Sequence, residues 1–287
     1  MLDSLGNWKI IALETGDFRL DGGAMMGSVP KVLWEKTNPP DGFNRSDLAL
    51  RCLLLDNGEY RILIESGMGD KIDPSFSNRY HVKQPKHPLK EKLNEYGYNI
   101  EDITHVILTH LHFDHSGGAT TYDSHGKLVP AFTNATYYVS ERNWEAGTNP
   151  SPRDSASYLD INYLPLHNTD QLELVPENTE ILKGISTMVV NGHTYGQQLI
   201  KVQSREDTLV FCADLIPLRS HLQLPWIMGY DLNAALSLNE KEKFLKEAAE
   251  NNWWLWFYHD PDTVAVQINF GEKYYDVVDE VKRSSKN

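Results

Sequence analysis

Residues 109–118 read THLHFDHSGG, and they follow directly on the apolar run HVIL. His110, His112, Asp114 and His115 fall within six positions, between the end of a predicted strand and a Gly-Gly pair. In an extended segment alternate residues project to one side, so 110, 112 and 114 share a face, and a turn brings 115 back towards them. Imidazole and carboxylate are the donor types that hold zinc and similar divalent metals. Eleven histidines occur in the chain. A single one would be read as a packing residue, but four donors at one strand end form a candidate metal cluster.

Outward from this segment, short runs rich in branched and aromatic residues predict strands at 8–14 (WKIIALE), 48–56 (LALRCLLLD), 60–66 (YRILIES), 104–110 (THVILTH) and 135–140 (ATYYVS). Helices are predicted at 87–97 and at about 141–162, where SERNWE supplies a capped start. The second half repeats the arrangement, with strands at 187–192, 197–203 and 207–214, a helix over about 237–250, then strands at 253–260 and 263–270. Two β-sheets packed together with helices outside are therefore expected, in one α/β domain spanning 1–287.

One cluster cannot fill two metal sites, and three further donors stand at predicted strand ends. They are His193 after TMVVNG, Asp214 after LVFCA and His259 after WWLWFY. An Asp between two cations can offer one oxygen to each. Each of these residues alone could be a turn or cap residue; their shared position after β-runs is what joins them to the first cluster.

Composition narrows the partners. A formal charge of −13 argues against nucleic acid or an anionic membrane, which call for excess Lys and Arg. No apolar stretch approaches the roughly 18 residues of a spanning helix. The first residues, MLDSLGNWKIIALETG, lack the basic start and apolar run of a secretory signal, so a cytoplasmic location is expected. Cys52 and Cys212 lie far apart in strand-like runs and read as small buried hydrophobes. A small-molecule substrate is the expected partner, and a homodimer is left open.

HLHFDH resembles the HxHxDH signature of the metallo-β-lactamase superfamily, and GHTYGQ (192–197), CADLIP (212–217) and FYHDP (257–261) follow in that family's order. The resemblance implies the four-layer αββα sandwich of that fold. It implies two metal ions, zinc being expected and other divalent transition metals also fitting. His110, His112 and His193 would hold the first, Asp114, His115 and His259 the second, with Asp214 shared. Within the superfamily the chain is most similar to the N-acyl-homoserine lactonases, the quorum-quenching lactonases, a branch that shades into methyl-parathion-hydrolase-like enzymes. LIESGMGD (63–70) and FRLDGGAMMGSVPKVLW (18–34) support this, the latter resembling a loop laid over the active site. Two positions depart from the pattern. Glu65 stands where the family usually has Asp behind the ligands, and Pro217 stands where some lactonases carry Tyr. His221 or Tyr195 could replace that phenol, packing being the other reading of each.

Two such ions would make hydroxide available at neutral pH and polarise a carbonyl, which suits the opening of a lactone or the cleavage of an ester. Asp114 is the candidate for passing a proton to the leaving oxygen. Met25, Met26, Val29, Trp34 and His221 are the expected substrate contacts, flexible Met being suited to gripping an acyl chain. Phosphotriester, phosphodiester or thioester hydrolysis could run on the same site, because fold does not fix substrate. A non-catalytic metal-binding protein is the remaining alternative, although such proteins tend to lose ligands and all seven are present.

Overall fold

The chain is described by a computed structural model that covers residues 2–272 and 274–284. Its first half forms a seven-stranded sheet from β1 (Ser4–Leu5), β2 (Trp8–Asp21), β3 (Arg45–Asp56), β4 (Arg61–Ile64) and β5 (His105–Ile107), completed by two later strands. A small hairpin of β6 (Thr120–Tyr122) and β7 (Leu128–Pro130) intervenes before those two, β8 (Thr136–Ser140) and β9 (Leu172–Val175). The second half builds another seven-stranded sheet in chain order: β10 (Glu180–Leu182), β11 (Ile185–Val190), β12 (Gln197–Ser204), β13 (Asp207–Phe211), β14 (Trp254–Trp256), β15 (Thr263–Phe270) and β16 (Tyr275–Lys282). β4, β5, β8 and β9 run parallel to one another, as do β13 and β14; the remaining pairs are antiparallel.

The two sheets face each other across a common core. β3 shows why: LALRCLLL is buried along its whole length, as expected for a strand covered on both faces. Each fully buried Leu there contributes about 1.5–3 kcal/mol. Arg51 interrupts that run without breaking it. Its guanidinium is fully buried, pairs with Glu14 at 2.5 Å and donates to the carbonyls of Phe257 and Thr263 in the opposite half. Backbone bonds tie the halves further, Gln198 N to Thr109 O and Ala49 N to His259 O, both at 2.9 Å. The first bond abuts His110, and the second uses the backbone of His259, itself a candidate ligand.

Helices cover the outer faces, giving the four layers of the metallo-β-lactamase fold. α3 (Pro74–Arg79) precedes α4 (Pro88–Glu95), which has Pro at its first turn and lies against β2, and α6 (Glu141–Thr148) lies against β8 and β9. α7 (Ala234–Glu250) packs on β15, burying Phe244, Leu245 and Ala248, and the Asn233 side chain caps its start. The expected helix over 141–162 ends at Thr148. Pro150 and Pro152 follow, which disfavour the helical conformation before them and leave no N–H to continue the ladder. Residues 149–158 become an irregular rim with one short 3₁₀ turn, Ser155–Ser157. The segment 18–34 is also more regular than a loop. Phe18–Asp21 extends β2, Asp21 caps α1 (Gly22–Met26), and α2 (Lys31–Trp34) follows.

Candidate metal centre

The site lies where β5, β11, β13 and β14 end. β5 stops at Ile107, and the chain runs through His110 to His112, which starts the one-turn helix α5 (Phe113–Ser116). Asp114 and His115 therefore sit on a helical turn and not on a continued strand. The following glycines serve close packing. A Cβ on Gly117 would lie 2.1 Å from the Met68 carbonyl, and one on Gly69, which has φ of +69°, would lie 2.2 Å from that of Gly117. The ESGMGD loop and the HSGG turn interlock only because both lack side chains there.

All seven expected ligands meet on one buried floor. His110 Nε2 lies 3.0 Å from His112 Nδ1, and His193 Nε2 lies 3.3 Å from the same atom. On the other side His115 Nε2 and His259 Nε2 are 3.2 Å apart, with Asp114 Oδ2 at 3.9 and 3.5 Å from them. Asp214 straddles the two sets, its Oδ2 3.3 Å from His193 Nε2 and its Oδ1 3.4 Å from both His115 Nε2 and His259 Nε2. Ligands about 2.0–2.1 Å from a tetrahedral zinc stand about 3.3–3.4 Å from one another, so these spacings suit coordination edges. Asp214 Oδ1 is buried without a hydrogen-bond partner, as a carboxylate oxygen awaiting a cation would be.

The groups behind the floor aim the imidazoles. Glu65 accepts from His115 Nδ1 at 3.1 Å and from the Thr109 hydroxyl, which in turn lies 3.0 Å from His110 Nδ1. His193 Nδ1 donates to Asp231 at 2.9 Å, and His259 Nδ1 donates to the Ala49 carbonyl at 2.9 Å. In all four rings the Nδ1 proton points outward to an acceptor, leaving the Nε2 lone pair directed inward. Glu65 reaches both histidines from a left-handed backbone at φ of 67°, which shows how the longer carboxylate is accommodated.

Burial and repulsion from neighbouring imidazoles hold His110 and His112 well below the ordinary histidine range. Burial acts on His115 in the same direction, yet the carboxylates of Asp214, Asp114 and Glu65 outweigh it and raise that ring well above the range. Burial would likewise raise Asp214, but His115 and His259 hold it well below the usual carboxylate range. The floor's carboxylate charge is thus met by the His115 imidazole, a role that a bound cation would take over.

A cavity of about 370 Å³ opens over the floor, and His112, Asp114, His193, Asp214 and His259 line it. Of the expected substrate contacts, Met25 lines this cavity, beside Met228, Tyr230 and Tyr80. The others are placed elsewhere. Met26 and Trp34 are in the core at 0% and 2% exposure, and Val29 is half-buried outside the lining. His221 is buried beneath α1, its Nε2 3.0 Å from the Met25 carbonyl. Tyr195 is exposed with its ring against Arg142, away from the cavity. Neither His221 nor Tyr195 supplies a phenol-like group to the cavity; Tyr230 and Tyr80 are the tyrosines in its wall. Sequence reading also missed Asp231 and the rim residues Arg153 and Asp154, none of which lies in a motif or at a strand end. Thr109 was inside the quoted stretch, and its hydroxyl next to a ligand was the available signal.

Comparison with known proteins agrees with this geometry. The sequence profile of the Metallo-beta-lactamase superfamily matches residues 48–259. An N-acyl homoserine lactonase of Bacillus sp is 28% identical over 215 residues, covering 70% of this chain and 78% of the relative. A crystal structure described as "a probable metal-dependent hydrolase" from Staphylococcus aureus superposes with a TM-score of 0.91 at 27% identity, covering 99% of this chain and 100% of that one. AidC, a dizinc quorum-quenching lactonase in complex with a product, shares the fold with a TM-score of 0.78 at 21% identity, covering 99% and 97%.

Proposed function

The chain is a metallo-hydrolase belonging to the metallo-beta-lactamase superfamily, and from that premise we propose that it opens lactones, N-acyl-homoserine lactones first among them, with two zinc ions as its cofactor. The observation that carries this reading is Asp214 joining two three-donor sets, one of His110, His112 and His193, the other of Asp114, His115 and His259. The seven side chains would hold two divalent cations, which would supply an activated water and Lewis-acid polarisation of a carbonyl. Asp214 and Asp114 would supply the negative charge that retains such cations. Asp114 also lines the cavity, its Oδ2 turned towards His115 and His259. Its place in the cavity wall makes it the candidate for passing a proton to the leaving alkoxide oxygen.

The cavity volume suits a small or medium substrate, and its wall combines Leu20, Met25, Leu48, Phe113 and Met228 with a polar rim. No helix among the described residues is long and apolar enough to cross a membrane. The test is a panel on zinc-loaded protein with metal content measured alongside: homoserine lactones of several chain lengths, simple esters, a thioester and a phosphotriester. About two zinc ions per chain and fastest turnover of lactones are expected. Brisk phosphotriester cleavage without lactone opening would move the activity to that substrate class; retention of only one metal in excess zinc would overturn the dinuclear assignment.

A further inference from the structure

Among the cavity's lining residues Arg153 is the one arginine or lysine, in a chain with a formal charge of −13. The end of α6 at Thr148 puts it on the rim, with Asp154, Ala156 and Ser157 of the same segment also in the lining. Its side chain is exposed, and only Nη2 is engaged, donating to Gly229 O at 2.6 Å and Asp231 O at 3.2 Å. Nε and Nη1 make no hydrogen bond with the described residues. Asp231 is also the residue that holds His193, so the guanidinium stands beside the His193 side of the floor. Uncommitted arginine donors there meet what an apolar wall cannot, an oxygen on the substrate.

We propose that Arg153 is a specificity-determining residue that binds a second oxygen acceptor of the substrate, a carbonyl or carboxylate close to the reacting carbonyl. The proposal rests on the lactonase reading and narrows it to lactones carrying such an oxygen next to the ring carbonyl. An acylamido group provides it as a neutral amide oxygen, a carboxymethyl group as an anion. The ring carbonyl would then lie over the metal floor, the second oxygen at the guanidinium, and the remaining chain along the apolar wall.

The test compares three γ-lactones substituted at the carbon beside the carbonyl, with acylamido, carboxyalkyl or plain alkyl groups of similar size. kcat/KM is measured for zinc-loaded wild type, Arg153→Met and Arg153→Lys. Arg153→Met also frees the loop around Gly229, which would slow all three substrates, so the readout is the ratio of acceptor-bearing to alkyl lactone. That ratio is expected to fall by about tenfold in Arg153→Met, the scale of a lost hydrogen bond from a charged donor, and by less in Arg153→Lys. A fall for the acylamido lactone alone, or for the carboxyalkyl lactone alone, identifies which oxygen is read. An unchanged ratio would overturn the proposal and leave Arg153 as a tie between two loops, with lactone opening intact. Failure of the wild type to open any of the three would instead overturn the lactonase reading together with this inference.

Discussion

At the floor of the cavity every histidine but His112 is backed by a fixed acceptor: Glu65, Thr109, Asp231 or the Ala49 carbonyl. The rim is made differently. It comes from residues 18–26, 149–158 and 226–231, three segments distant in sequence and joined by a few bonds such as Gly229 N to Ala24 O and Arg153 to Gly229 O. The floor is a network in which removing one member strands several charges, whereas the rim is a set of contacts that can be altered singly. Chemistry and selectivity are thereby separable, and substitutions should reveal two distinct classes of effect.

The largest effect should come from Asp214→Ala, since Asp214 links both donor sets. We expect kcat/KM to fall by more than about a hundredfold, beyond the scale of losing a supporting residue, and bound zinc to drop below two per chain. Full zinc occupancy with near-normal turnover would show that the floor does not depend on its bridge. His221→Ala should leave zinc content intact, because that ring lies under α1 and not on the floor.

His221 also makes a pH test of the rim's foundation. Burial and the nearby Lys241 hold its pKa down at about 4 in the folded chain. An unfolded histidine titrates at about 6.5, so below that pH the unfolded chain gains a proton that the folded one refuses. The stabilisation is complete above about pH 6.5 and is lost progressively as pH falls to about 4, by about 3 kcal/mol at most. Urea melts of metal-free protein between those values should show His221→Gln with the shallower decline. Parallel declines in both proteins would mean that another group sets the acid sensitivity.

Asp231→Asn tests the join between floor and rim. It keeps the shape but weakens the acceptor for His193 Nδ1, and outer-shell partners of this kind are worth about ten- to a hundredfold in metal affinity. Zinc competition titration should place the loss in that range, with turnover recovering in excess zinc. A loss of turnover that excess zinc does not repair would locate the role of Asp231 in the wall of the cavity.

The floor could be read from the sequence because its donors either cluster, as in HLHFDH, or fall at the ends of apolar runs, as His193, Asp214 and His259 do. Strand ends are set by local pattern, and the fold converts them into one edge. The rim had no such code. Met25 and Met26 are adjacent and chemically identical, yet α1 turns one to the cavity wall and the other into the core. Glu65 was anticipated through its resemblance, while Asp231 became visible only when loop 226–231 folded back against His193. The overlong helix at 141–162 came from giving its capped start more weight than Pro150 and Pro152.

The smallest predicted effect belongs to the apolar wall. Met228 is 4% exposed and lines the cavity, so part of its side chain is available to an acyl chain without being a surface residue. Met228→Ser removes that apolar surface and leaves the floor's ligands and their supports in place. At ~0.8 kcal/mol per buried methylene, the loss of one or two contacts raises KM for long-chain lactones by roughly four- to fifteen-fold. Short-chain lactones, which do not reach the wall, should change less, and kcat should hold because the hydrolytic groups are untouched. Met26→Ser serves as the contrast: its side chain is fully buried outside the cavity, so it should lower the melting temperature with no dependence on chain length. A chain-length dependence that appears with Met26 and not with Met228 would invert the assignment of wall and core, while leaving the metal floor as described.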